Sequence, residues 1–209
     1  IEIDLTGNNI GAWADDEFLM SAQDKNPLRT GGIGFETSDN AVVYFDDLEA
    51  EMSVPEQEVL DPTELFQNGE HKEDITLSGG DVLVLENRKF EQFGNIYLKG
   101  GSKLIIRNAT LQLTRYKRAE WHSGIYLEDY SSLDVNSSIL RPGEDTGFVV
   151  EARGVSHLSI KDSSTGIHIL TVQNNARAEV ESSEILSDVG GAVGASDRGV
   201  IMVKNSTIG

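Results

Sequence analysis

The sequence predicts an all-β chain: a solenoid of about six stacked strand coils, preceded by a partial antiparallel segment. Three observations predict it. An apolar–x–apolar strand ending in Asn, Asp or Ser recurs through the second part of the chain. Short alternating runs, divided by Gly-, Asn- and Asp-rich turns, fill the first fifty residues. Apolar stripes at 3.6-residue spacing are missing throughout. With 209 residues, 38% of them hydrophobic, the chain can bury a sizeable core.

Composition narrows the function classes. The 35 acidic residues outweigh 17 basic ones, for a net charge of −18, so the chain repels polyanions and nucleic acid is not expected as a partner. It has no cysteine, which excludes disulfides, thiolate metal sites and cysteine nucleophiles. No apolar run approaches the roughly 18 residues that cross a bilayer, so no membrane span is expected in this segment. The chain opens on Ile1-Glu2-Ile3 without an initiator Met or signal segment, and it stops at Asn205-Ser206-Thr207 inside a repeating pattern. It therefore reads as a piece of a longer protein, and the missing signal segment does not argue for the cytoplasm.

The first segment, 1–50, carries alternating runs at 1–5, 10–14, 32–36 and 41–48. Thr6-Gly7-Asn8-Asn9 and Arg29-Thr30-Gly31-Gly32 supply turn residues between them. Residues 51–72 change character, with Pro55, Pro62, many acids and weak periodicity, and read as a linker and cap. Within it, Asp61 is placed to cap a short helix over 62–66, with Pro62 at the first helical position and Glu64 at the third.

The third segment, 73–209, is periodic. Its strand motif reads Leu83-Val84-Leu85-Glu86-Asn87, Leu104-Ile105-Ile106-Arg107-Asn108 and Leu133-Asp134-Val135-Asn136-Ser137. It continues as Leu158-Ser159-Ile160-Lys161-Asp162, Ala178-Glu179-Val180-Glu181-Ser182 and Ile201-Met202-Val203-Lys204-Asn205. Anchors at Leu85, Ile106, Val135, Ile160, Val180 and Val203 are spaced by 21, 29, 25, 20 and 23 residues. Repeats of this length mean stacked supersecondary units. Leucine-rich repeats would show a Leu-x-x-Leu-x-Leu frame, which is missing. Six coils stacked at the strand spacing make a rod of about 29 Å.

These motifs resemble the right-handed parallel β-helix of the pectin-lyase-like group. The resemblance implies that inward Val, Ile and Leu stack on their own kind, and that Asn87, Asn108, Ser137, Asp162, Ser182 and Asn205 form a structural ladder at one corner. Three Asn-x-Ser/Thr sequons, at Asn108, Asn136 and Asn205, track the repeat. Ladder bonding and glycosylation both account for them, and their periodicity favours the ladder.

In the first segment, Asn9-Ile10-Gly11-Ala12-Trp13-Ala14-Asp15-Asp16, Gly31-Gly32-Ile33-Gly34-Phe35 and Val43-Tyr44-Phe45-Asp46-Asp47-Leu48 resemble the last strands of a concanavalin-A-like or laminin-G-like jelly roll. That fold needs about eight strands, so its first part is expected upstream of Ile1. The resemblance implies a structural calcium held by Asp46, the one cofactor the sequence offers. One Asp does not complete a calcium shell, and a solvated strand end is the alternative. Trp13 and Tyr44 serve as core residues or as sugar-stacking platforms, with core favoured.

The longest repeat carries the insertion Thr114-Arg115-Tyr116-Lys117-Arg118-Ala119-Glu120-Trp121-His122-Ser123, rich in bases and aromatics. The resemblance implies polysaccharide bound along the parallel sheets between such loops. Tyr116 and Trp121 would stack on sugars, and Lys117, Arg118 and Arg141 would meet uronate or sulfate groups. The alternative is a longer turn whose aromatics cover the solenoid's flank. A lyase would need a base such as Arg141 beside carboxylates such as Glu128 and Asp129, and no spacing motif ties them. A hydrolase would need two opposed carboxyl groups, and acids are common enough here to supply a pair by chance. His157 and His168, read as members of adjacent coils, lack metal-ligand spacing.

The sequence thus points to part of a modular extracellular or cell-surface protein. Its expected role is non-catalytic: glycan binding, adhesion or envelope architecture, with polysaccharide or cell-surface glycan as partner. A polysaccharide lyase or hydrolase is the alternative. A third reading has the coil ends self-associate head to tail into a fibre.

Overall fold

The computed structural model describes residues 2–6, 9–15, 17–23, 58–114, 122–143, 147–186 and 191–209. The chain divides into two compact units, Ile1–Glu51 and Met52–Gly209.

In the first unit, three antiparallel strands, Glu2–Thr6, Asn9–Ala14 and Glu17–Gln23, form one sheet in chain order. The first two match the alternating runs of the sequence. The third, Glu-Phe-Leu-Met-Ser-Ala-Gln, has no alternation and escaped the pattern; Phe18, Leu19 and Met20 are all exposed along it. The runs at 32–36 and 41–48, with Tyr44 and Asp46, lie outside the described residues, as does the side chain of Trp13.

The second unit is a parallel β-solenoid of six coils and two strands of a seventh, built on three sheets. Sheet I holds Val59–Leu60, Val82–Glu86, Lys103–Arg107, Ser132–Asn136, His157–Lys161, Arg177–Glu181 and Val200–Lys204. Sheet II holds Glu70–His71, Lys89–Phe93, Thr110–Thr114, Ile139–Pro142, Ser164–Thr165, Glu184–Ile185 and Thr207–Ile208. Sheet III holds Ile75–Leu77, Ile96–Leu98, His122–Leu127, Gly147–Ala152, Ile169–Val172 and Ala192–Ala195. Coils are numbered 1 to 6 from the N-terminal end.

Period-2 alternation explains why these residues form the coil. In 82–86, 132–136 and 157–161 every second residue is buried (Leu83 and Leu85, Leu133 and Val135, Leu158 and Ile160) and its neighbours are not. A single coil has nothing to cover its apolar face, so stability comes from stacking. The anchors stack in one column: Leu85 pairs with Ile106, then Val135, Ile160, Val180 and Val203. From Leu85 to Val180 each is essentially inaccessible to solvent. Burying a side chain of this size stabilises by about 1.5–3 kcal/mol.

Two corners have constant length. Every I–II corner from coil 2 onward has two residues, and every III–I corner has four. The II–III corner varies most, from two residues in coil 2 to seven in coil 3, and the strands of sheets II and III differ in length as well.

The I–II corner revises the expected ladder. Asn87, Asn108, Ser137, Asp162, Ser182 and Asn205 all occupy the left-handed region, with φ between 46° and 59°. That geometry turns the chain sharply and leaves their side chains exposed. Among them only Asn108 and Asn87 are joined, Nδ2 donating to Oδ1 at 3.2 Å. The buried ladder runs through the next residue. Ser138 N–H donates to Ser163 Oγ, Ser163 N–H to Ser183 Oγ and Ser183 N–H to Ser206 Oγ, each at 3.1 Å. Each of these hydroxyls donates in turn to the carbonyl two residues back: Lys161, Glu181 and Lys204. The inward-turning corner residue must satisfy its neighbour's N–H, and serine supplies one acceptor and one donor. The sequon asparagines Asn108, Asn136 and Asn205 are all exposed at this corner.

Part of the stretch read as a linker joins the sheets. Val59–Leu60 pairs with Val82–Leu83, and Glu70–His71 with Glu91–Gln92, so residues 59–77 make a first, short coil. Between them lies the helix Pro62–Leu65. Asp61 caps it, Oδ1 accepting from Thr63 N–H at 2.7 Å, and Pro62 opens it. Phe66, which ends the helix, is buried edge-on against Phe90 at 5.1 Å and tops the core at this end.

Candidate functional site

The variable II–III corner feeds directly into sheet III, whose outward face collects the second unit's most distinctive side chains. Ile96-Tyr97-Leu98 and Ile125-Tyr126-Leu127 are in register, with Ile and Leu inward and Tyr outward. The two rings stack with centroids 5.3 Å apart and planes 18° apart. Their bed is specific. A Cβ on Gly124 would lie 2.9 Å from Tyr126 Cε2 and Cζ, so the ring keeps this position only over a residue without a side chain. Asn95, the register neighbour of Gly124, is buried; its Oδ1 accepts from Gly124 N–H and its Nδ2 donates to the Tyr97 hydroxyl, both at 3.0 Å.

Charged pairs border the stack. Lys99 Nζ stands 5.8 Å from the Tyr97 ring centroid and 3.6 Å from Glu128 Oε2. In coil 4, Arg153 meets Glu151 through NH2 at 2.6 Å and Nε at 2.8 Å. Glu151 occupies the position that the tyrosines hold in coils 2 and 3. Aromatic faces flanked by hydrogen-bonding and charged tips are the chemistry that meets sugar rings and hydroxyls.

The residues expected from sequence distribute unevenly. Tyr116, Lys117, Arg118 and Trp121 lie outside the described residues; in the chain they join sheet II to sheet III of coil 3. Arg141 is exposed on the outward face of sheet II, aligned with Gln112. Glu128 and Asp129 sit at the III–I corner, after the strand has left sheet III. The lyase-like trio is therefore divided between the III–I corner and sheet II, with the sheet I strand Ser132–Asn136 between its members in the chain. His157 and His168 fall in the same coil 5, one opening the sheet I strand and the other at the II–III corner. Among the described residues no group of three or more His, Asp or Glu is placed to hold a metal ion. No described helix is long and apolar enough to cross a membrane.

Tyr97, Tyr126, Asn95 and Gly124 were missed by the sequence reading. The signal was present: Ile-Tyr-Leu occurs twice, each time directly after a small or amide residue. Seeing it requires aligning the coils on sheet III, whereas the repeat motif aligns them on sheet I.

No protein-family model matches the chain, and no curated protein or solved structure matches it. The fold places it among the parallel β-solenoids, and the functional reading rests on its own residues.

Proposed function

We propose that this chain is a non-catalytic, glycan-binding part of an extracellular or cell-surface protein. The solenoid acts as a rigid stalk, and the outward face of sheet III in coils 2–4 meets the glycan. The observation that carries this reading is the Tyr97–Tyr126 stack, seated beside the corner whose length varies most from coil 2 onward. Loops on a rigid scaffold are where binding residues gather, and in the chain the aromatic and basic residues of 115–121 lead into the sheet III strand that carries Tyr126. Kinship with the pectin-lyase-like group is part of the proposal, supported by parallel coils with short, constant I–II corners. So is a jelly-roll origin for residues 1–50, supported by three antiparallel strands. Calcium at Asp46 belongs to that second part.

The test is a panel of neutral and acidic polysaccharides, with and without calcium, scored for retention of the chain and for released oligosaccharides. Retention without products, weakened about tenfold by Tyr126→Ala and unchanged by Arg141→Ala, is the expected result. Released products that disappear in Arg141→Ala would make the chain an enzyme and overturn the reading. No retention on any member would leave the stalk and remove the glycan.

A further inference from the structure

Resting on the glycan reading of sheet III, we infer that the Tyr97 hydroxyl is a hydrogen-bond donor held ready for an acceptor oxygen of the glycan, with Asn95 as the positioning residue that sets this polarity. The argument follows from which groups can donate. The Gly124 backbone N–H only donates, so the atom of Asn95 facing it at 3.0 Å must be the carboxamide oxygen. This turns Nδ2 toward Tyr97, again at 3.0 Å. An amide nitrogen also only donates, so the phenol oxygen is the acceptor in this contact. The phenol's single proton therefore points elsewhere, and no described residue offers it an acceptor within hydrogen-bond distance.

The hydroxyl is not free to swing away and find one. Asn95 is only 8% exposed, so its amide is fixed by burial as well as by two hydrogen bonds. The Tyr97 ring is held against Tyr126 at 5.3 Å, with the Lys99 ammonium near its face. A half-buried phenol whose proton has no partner among the described residues is satisfied by water or by a ligand. On a glycan the matching group is a hydroxyl, ring or glycosidic oxygen. Asn95→Asp would reverse the polarity. The carboxylate accepts from Gly124 N–H as before, but it also accepts from the phenol, and the donor turns inward.

The experiment titrates the chain with cellohexaose and with oligogalacturonate, and reads hydroxyl-proton exchange of Tyr97 from its carbon-13-labelled Cζ signal in mixed light and heavy water. Tyr97→Phe and Asn95→Asp are each expected to weaken binding about fivefold, the worth of one hydrogen bond, and the double variant no further. Exchange of the Tyr97 hydroxyl is expected to be fast in the native chain and slowed in Asn95→Asp, a change that a merely structural role for Asn95 would not produce. If Tyr97→Phe binds as tightly as the native chain while Tyr97→Ala does not, the donor is refuted and the glycan site survives. If neither probe binds, the ligand assigned here falls with the glycan reading. The hydroxyl's polarity is then decided by exchange alone, and a protected hydroxyl in the native chain refutes it.

Discussion

Ser163→Ala tests the displaced ladder most directly. Ser163 is 6% exposed; its Oγ accepts from Ser138 N–H at 3.1 Å and donates to Lys161 O at 2.6 Å. Removing the hydroxyl takes away both bonds, but the two partners are left unequally. Lys161 O keeps a second donor, Ser137 N–H at 3.0 Å. Ser138 N–H has no other acceptor among the described residues and lies in a residue only 4% exposed. An orphaned buried donor costs about 1–3 kcal/mol, so the variant should lose about 2 kcal/mol. The protein contains its own control. Ala109 occupies the same column in coil 3, where Arg88 N–H finds no acceptor among the described residues. Ala109→Ser should extend the ladder by one rung and stabilise by up to about 1 kcal/mol, less because Arg88 is exposed and already meets water. Urea unfolding measures the totals, and amide exchange at Ser138 localises the loss, since a solenoid opens locally. A cost below about 0.5 kcal/mol for Ser163→Ala, with unchanged exchange at Ser138, would refute the ladder's energetic role.

Phe66→Ala should cost about 3–5 kcal/mol, because it removes a buried ring from the end of the core and its edge-on contact with Phe90. Faster amide exchange confined to coil 1, around Leu60 and His71, is the expected signature, and uniform loosening of all coils would contradict it. Gly124→Ala puts a methyl group into the Tyr126 ring and should swing it off Tyr97, costing about 1 kcal/mol of aromatic pairing. A near-ultraviolet circular dichroism spectrum identical to the native one would rule this out. Glu181 titrates below the ordinary glutamate value of 4.5, first because Lys204 donates to it at 3.2 Å and then because Lys161 lies beside it. A folded-state value below the unfolded one gives stability that is present above pH 4.5 and is lost as pH falls through the lowered value. The difference in urea midpoint between Glu181→Gln and the native chain should therefore shrink on acidification; a constant difference would refute the pairing.

Much of the solenoid was legible in the sequence because each coil imposes the same requirement at the same place. The inward residue of sheet I must be apolar in every coil, so Leu85, Ile106, Val135, Ile160, Val180 and Val203 announce their register in the sequence itself. The corner residues announce themselves for a different reason. Asn, Asp and Ser tolerate or locally support the left-handed turn, and that tolerance is a property of the residue alone.

Tertiary structure decided what depends on direction and on neighbours. A left-handed residue turns its side chain outward and hands the inward direction to the next one. The ladder therefore belongs to Ser138, Ser163, Ser183 and Ser206, and sequence spacing cannot tell one column from the other. The first coil was hidden because its strands span two or three residues, too short for alternation to register. Trp121 and its neighbours drew attention by composition, whereas Tyr97 and Tyr126 sit 29 residues apart in ordinary strand motifs. Only the pairing of sheet III brings their rings together over Gly124, with Asn95 locking one of them. Composition and period determined that this chain stacks into a parallel solenoid. Which side chains share a face was settled by the lengths of its corners, because each corner sets the direction in which the next strand presents its residues.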